Sequence, residues 1–407
     1  MSGQNASGRI ARIGRFIRLT VVQVVGIIAH TLGRGARFVE SWLLDRRHAQ
    51  YGLAVTRILL ALTGIGLLAS NFRTRLYTFG SGSAWNGEAA QPQSDFPQIG
   101  LFSLFHKLAL DDTGFTLAYL VLFTLAVLLL LGWHTKLVLP VYWVGWVSFI
   151  EMNDSVGDQG DNMYRITLMA LIFADTAGRW SLDARRRANV AEQTGNWLRR
   201  KWRGEPVAPG WITNLANNLV LVAVTCHTCF VYASGALFKA GGEPWRSGYA
   251  VYNPLHTARF GPWPEISDLV GTWAPIVTAV AWTSIILQMS FPMMLLNRVT
   301  RVIALGGILS FHIGIAVMMG LPWFSLSMIA IDAIFVRDVT WQAMAGGLRD
   351  LWRRARDESP AGRPRAATAG GDRPRDDAPQ REESPEEPSE ESIDDPEFAG
   401  QGAAGKH

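Results

Sequence analysis

The chain has 407 residues, of which 49% are hydrophobic and 18% charged. That charge content is low, and it is segregated into a few clusters separated by long apolar runs, which excludes a water-soluble helical domain with charge spread along every exposed face. The formal charge of +4 therefore reports membrane sidedness and gives no reason to expect nucleic acid, while the two cysteines, Cys226 and Cys229, exclude a disulfide scaffold by count.

Residues 1–50 form a basic segment. Arg9, Arg12, Arg15 and Arg18, then Arg34, Arg37, Arg46 and Arg47, flank the apolar stretch 16–32. Arginine on both sides and no small-residue cleavage site argue against a cleavable signal peptide. About 14–17 apolar residues are marginal for crossing roughly 30 Å of hydrocarbon. The stretch is expected to lie on the cytoplasmic surface as an interfacial helix held by anionic lipid, with a crossing segment as the alternative.

Residues 51–340 are expected to be an all-α, polytopic transmembrane bundle of about eight spans. By length and polarity the spans fall near 52–70, 114–132, 137–152, 163–177, 215–236, 272–296, 302–320 and 322–337. Basic clusters set their direction. Arg179, Arg185, Arg186, Arg187, Arg199, Arg200, Lys201 and Arg203 lie between the fourth and fifth spans. The turn 297–301 and the group Arg349, Arg353, Arg354 and Arg356 have the same parity. The positive-inside rule then places both termini in the cytoplasm and makes this a multi-pass plasma-membrane protein. The outer face receives 71–113, 151–162, 239–271 and the turn at 321–322. Tyr77, Trp85, Trp245, Tyr249, Tyr252, Trp263 and Trp273 in these loops suit a bilayer interface. Residues 341–407 read as a cytoplasmic tail, and from about 357 its composition is that of a disordered segment.

An ionisable side chain inside a span is costly and therefore a functional candidate. Arg57, Arg165, Asp175, His227, His312 and Asp332 are such residues. For Arg57, Arg165, Asp175 and Asp332, internal pairing that holds helices together, for example Arg57 or Arg165 with a carboxylate, is the favoured reading. The acid-rich turn Glu151, Asn153, Asp154, Asp158, Asp161 and Asn162 offers oxygen ligands for a cation or a general base. The structural alternative is a polar turn in which Asp161 or Asn162 caps the next helix. Lys239 closes the fifth span in a segment running from Tyr232 through Ser234 and Gly235 to Trp245. A partly desolvated lysine can serve as a base, and a snorkelling lysine that marks a helix end is the alternative. His312, mid-span among glycines, can orient a substrate or move protons. Cys226 and Cys229 are neighbours on a helix by geometry alone, so a redox role does not follow from their spacing.

Two stretches resemble a known family. One runs through Gly157-Asp158-Gln159-Gly160-Asp161-Asn162 to Arg179-Trp180-Ser181-Leu182-Asp183. The other runs from Tyr232 through Lys239 and Trp245, then Phe291-Pro292, His312 and Phe324-Ser325. Together they are similar to the HTTM (horizontally transferred transmembrane) domain over roughly residues 50–340. That family includes proteins like sporulation-delaying protein B, which acts in maturation of a secreted peptide toxin, and the membrane part of vitamin K-dependent gamma-carboxylase. The resemblance implies Lys239 and His312 as catalytic residues, and Asp158, Asp161, Asn162 and Trp245 as substrate-binding residues. It implies no metal, a reduced quinone of the vitamin K type as cofactor, and a secreted peptide as partner beside the lipid bilayer. The carboxylase has two adjacent lysines where this chain has one, and a large extramembrane domain after its spans where this chain has the tail. Glutamate carboxylation is not expected on that ground. A maturation factor or enzyme acting on a peptide or quinol-like lipid is expected, with a non-catalytic accessory or immunity protein as the alternative. No repeated half of the kind transporters use is visible. Oligomeric state is not set by these features.

Overall fold

The computed structural model describes residues 3–85, 94–153, 156–188, 196, 202, 208–258 and 260–357. Asp154, most of the basic stretch 189–207 and the tail beyond 357 lie outside the described residues, as does the side chain of Trp85. The described residues contain helices and turns but no strand. The principal helices are α1 (Gly3–Leu44), α2 (Gln50–Asn71), α3 (Asp112–Leu131), α4 (Thr135–Ile150), α5 (Gln159–Leu171), α6 (Gly210–Gly241), α7 (Ala274–Met294), α8 (Arg298–Met318), α9 (Pro322–Asp332) and α10 (Asp338–Asp357). The chain divides into residues 1–351 and 352–407, and everything below concerns the first part.

Among the described residues six helical stretches are long and apolar enough to cross a bilayer: Arg18–Leu44 within α1, then α2, α3, α6, α7 and α8. They are compatible with a membrane protein. Two expectations about length change. The N-terminal apolar stretch lies within a longer helix that continues through Arg34 and Arg37, so that Arg18–Leu44, 27 residues, is long and apolar enough to cross; it is exposed up to Ser41 and half-buried at Trp42, Leu43 and Leu44. Conversely, the segment read as a span over 163–177 is helical only to Leu171. Its 13 residues reach about 20 Å, short of the hydrocarbon thickness. Tertiary hydrogen bonds end it there. Lys136 Nζ caps the carbonyls of Ile172 and Ala174, and the Asp175 N–H turns away to Asn217 Oδ1. The last expected span is also short, an 11-residue helix continued by a 3-10 turn to Phe335.

The core lies between α2, α3, α4, α5 and α9, with Leu60, Phe115, Tyr142, Trp146, Tyr164 and Ile331 fully buried. Gly64 permits a close approach. The hydroxyls of Tyr142 and Tyr164, 2.8 Å apart, pack where its side chain would stand, and Tyr164 donates on to the Leu60 carbonyl at 2.8 Å.

Polar groups tie the bundle at the end where α2 begins. Asp338 accepts the Gln50 and Tyr51 N–H groups (3.1 and 2.9 Å), capping α2. Arg47 pairs with Asp175 and donates to Asn214 and Thr213. Asn218 Nδ2 lies within 3.0 Å of the carbonyls of Trp42, Leu43 and Arg46. Arg57, 1% exposed, donates to Leu129 O and Leu130 O at the C-terminus of α3 and to Trp180 O. Its partners are thus carbonyls rather than the carboxylate expected, and they are the groups a helix C-terminus leaves unsatisfied. Gly132, at φ 65° after α3, leaves room for this guanidinium, which a Cβ would strike. Asp183 accepts the first N–H groups of α4, from His134 and Thr135 at 2.9 and 2.8 Å. The stretch Arg179–Asp183, part of the family resemblance, therefore performs structural work.

Candidate functional site

At the opposite end the acid-rich turn precedes α5. Asp158 is the N-cap, accepting the N–H groups of Gly160 (2.6 Å) and Asp161 (3.3 Å), and Asp161 returns the bond by accepting the Asp158 N–H at 3.0 Å. This is a capping box with Asp in both roles. The cap is neither Asp161 nor Asn162, because only Asp158 has the extended backbone that an N-cap requires. Glu151 is paired with Arg165 and accepts from Ser94, so one carboxylate of the turn is neutralised. Asn153 donates to Thr78 O at 2.7 Å.

Two cavities adjoin this turn. One, of about 190 Å³, lies between the ends of α2, α4 and α5 and the start of α9, with Asp158, Asp161, Trp146, Tyr164, Trp323 and Phe324 in its wall. The other, of about 280 Å³, is lined by Glu151, Asp158, Asp161, Asn162 and Arg165 among others. Asp161 lies on the first turn of α5, before the apolar part of that helix. Burial, and then the charge of Asp158, push its carboxyl up to about 7.

Lys239 lies on the last turn of α6 and points inward. Its Nζ donates to Gln288 Oε1 of α7 at 2.7 Å. The same atom lies 5.0 Å from the ring centroids of both Trp245 and Phe311, within cation–π range. A snorkelling lysine would turn its ammonium outward. Among the described residues no ion pair to Lys239 is present.

His312 is 1% exposed on α8. Its Nε2 lies 3.3 Å from Tyr232 Oη, which in turn is 2.7 Å from Asp332 Oδ2. A phenol has one proton. If Tyr232 donates to the Asp332 carboxylate, it accepts from His312, which assigns the proton of that ring to Nε2 and leaves Nδ1 as a bare acceptor. His312 Nδ1, Asp332 Oδ1 and Ser325 Oγ are all buried without a hydrogen-bond partner.

The six expected site residues thus fall into three groups. Asp158, Asp161 and Asn162 share the acid turn. Trp245 belongs with Lys239, not with the acids. His312 joins Tyr232 and Asp332 beneath Phe311. Phe324 separates the turn from the buried group, since it lines the smaller cavity and its ring lies 5.8 Å from His312. Gln288 had no part in the sequence reading, Asp332 was read as an internal pairing residue, and Tyr232 entered only as the start of the Lys239 segment. Asp332 pairs with a phenol rather than a cation, and Arg165 pairs with a carboxylate as expected. Cys226 and Cys229 are free thiols, and no cluster of three metal-ligating side chains occurs among the described residues. The loop aromatics Tyr77, Tyr249, Tyr252, Trp263 and Trp273 are exposed.

No family model, curated protein or solved structure matches the chain.

Proposed function

We propose that this chain is an HTTM-type membrane protein of the plasma membrane, with both termini cytoplasmic and a polar site on its outer face. It acts as a maturation factor or enzyme on a secreted peptide or a quinol-like lipid. The observation that carries the reading is the inward set of Lys239, bonded to Gln288 and faced by Trp245 and Phe311. A lysine set against a neutral amide and two aromatic rings, with no ion pair among the described residues, can release its proton and serve as a base toward an incoming acidic hydroxyl. A reduced quinone fits this donor set. It would supply a flat ring for Trp245 and Phe311 and an acidic hydroxyl whose proton neutral Lys239 accepts. Tyr232, Asp332 and His312 form a buried support under Phe311.

The test is to incubate membranes with reduced quinone, carbonate and candidate peptides, comparing wild type with Lys239→Ala. Loss of quinol consumption or peptide modification, with the variant still in the membrane, is expected. Full activity in Lys239→Ala removes the proposal. The second reading, a non-catalytic accessory that docks a peptide, draws on the exposed aromatics of the loop over 239–271. It predicts tolerance at Lys239 and His312, and loss of peptide capture on substitution of Tyr249, Tyr252 and Trp263.

A further inference from the structure

The helix that follows the last apolar segment has no part in the site above. Asp338, at its start, accepts the Gln50 and Tyr51 N–H groups and so caps α2. With α2 crossing the bilayer, its first turn lies level with a membrane surface, and the start of α10 lies there with it. The Trp341 indole N–H, 3.4 Å from Ala333 O, also ties the first turn of α10 back to the preceding segment. From that point Trp341, Met344, Ala345, Leu348 and Leu351 recur at helical spacing and form one stripe. Met344, Leu348 and Leu351 are 58%, 70% and 62% exposed. Gln342 and Asp350 lie on the other side of the helix, with Val339 as an apolar exception there. In the sequence the same period runs on through Trp352 and Ala355. Its spacing puts Arg349 and Arg356 on one flank of the stripe and Arg354 on the other.

These features select what covers the stripe. A crossing helix would be apolar all round, and a helix standing in water would need no stripe. A second copy of the helix fits poorly. The stripe runs only about two heptads, and the positions beside it hold no acid to meet a partner's arginines. Gly346 and Gly347 also weaken it as a free-standing coil. Cations of one sign beside an exposed apolar stripe complement anionic headgroups, with the stripe sunk to the acyl boundary and the long arginine stems reaching back to the phosphates. We propose that α10 is an interfacial anchor that lies along the membrane surface, with Met344, Leu348 and Leu351 in the headgroup–acyl boundary and Arg349, Arg354 and Arg356 on anionic phospholipid. The inference goes beyond the functional reading and rests on it only for the bilayer.

The test uses the full chain, with Cys226→Ala and Cys229→Ala, in nanodiscs of phosphatidylcholine mixed with phosphatidylglycerol and in nanodiscs of phosphatidylcholine alone. Met344→Cys, Leu348→Cys and Leu351→Cys on the stripe, and Gln342→Cys and Asp350→Cys opposite it, each carry an environment-sensitive fluorophore. In mixed nanodiscs the stripe labels should emit to the blue and be quenched by spin-labelled lipid, while the labels at 342 and 350 are quenched by aqueous iodide. Leaving out the anionic lipid should move the stripe labels toward water. Arg349→Gln combined with Arg354→Gln should do the same in mixed nanodiscs, by about fivefold in partition for each charge removed. Both variants lie on exposed flanks, so the helix itself is kept. Stripe labels open to iodide in both lipids, or no difference between the two sides of the helix, overturns the proposal. So does lipid quenching that is unchanged without phosphatidylglycerol and unmoved by the arginine variants. Blue emission that neither quencher reaches overturns it too, and assigns the stripe to a protein contact such as a second copy. The two ideas fail separately. Full maturation activity in Lys239→Ala sinks the functional reading and leaves α10 on the bilayer. Water-exposed stripe labels beside Lys239-dependent activity do the reverse.

Discussion

The end of the bundle where α2 begins and the end where α5 begins are both rich in polar side chains, and they treat them differently. At the first end most charges are paired, although Arg57 Nε and Arg186 Nε are buried without a hydrogen-bond partner. Arg47 meets Asp175, Asp338 caps α2, Asp183 caps α4, and Arg57 closes the C-terminus of α3. At the second end, groups of equal cost are left partly open. Asp161 has one bond, Lys239 has no ion pair among the described residues, and the Trp146 N–H has no acceptor. Partnered polar groups in an apolar bundle fix its shape, whereas a group left short of partners is a standing cost that stability alone would remove.

If the contrast is right, the largest loss of stability comes from the closed end. Arg57→Met leaves the Leu129, Leu130 and Trp180 carbonyls buried without their donor. It should lower stability by about 3 kcal/mol, read as the midpoint of denaturant unfolding in micelles. An unchanged midpoint would mean that the guanidinium is dispensable and that the two ends do not differ in kind. Asn218→Ala comes next, at about 2 kcal/mol, because one side chain holds both the end of α1 and the 46–48 turn. Proteolysis at the α1–α2 junction should rise in parallel.

How much of this was legible in the sequence follows the same division. The all-helical architecture, the basic segments and the acid turn are local in composition and could be read directly. Lys239 and Trp245 lie six residues apart across a helix end, so their pairing was within reach. Gln288, Tyr232 and Asp332 were not, because they meet their partners across 49 to 100 residues of chain. Arg57 was read as needing a carboxylate, since backbone carbonyls leave no mark in a sequence. α5 was read as a span because apolar composition continues past Leu171, while the helix is ended by bonds from Lys136 and Asn217 on other segments. Hydropathy registers what a segment contains and not what competes for its backbone.

A smaller effect, of opposite sign, is expected at the open end. The unfolded chain releases the Asp161 proton near pH 4, whereas the folded chain holds it to about 7. Between these values the folded state binds more protons, so this group's contribution to stability falls as pH rises from about 4 to 7 and is flat above. Asp161→Asn removes that loss. The variant should match wild type near pH 4 and exceed it by about 1 kcal/mol at pH 8, a figure reduced for the partial exposure of the side chain. Midpoints that differ equally at both pH values would assign Asp161 to the cap alone.

The smallest stability change should fall on the residue with the largest functional consequence. Lys239→Gln replaces a cation bonded to Gln288 with an amide that can bond to the same oxygen, and it leaves Trp245 and Phe311 in apolar contact. No ion pair among the described residues is broken, and a half-buried charge is removed. Unfolding midpoints should therefore move by less than about 1 kcal/mol, while the Lys239-dependent reaction with quinol or peptide is lost because no basic nitrogen remains. The paired measurement decides whether Lys239 belongs with Arg57 or against it. A drop comparable to that of Arg57→Met would place Lys239 among the groups that fix the bundle, and the difference between the two ends would then be one of exposure and not of purpose.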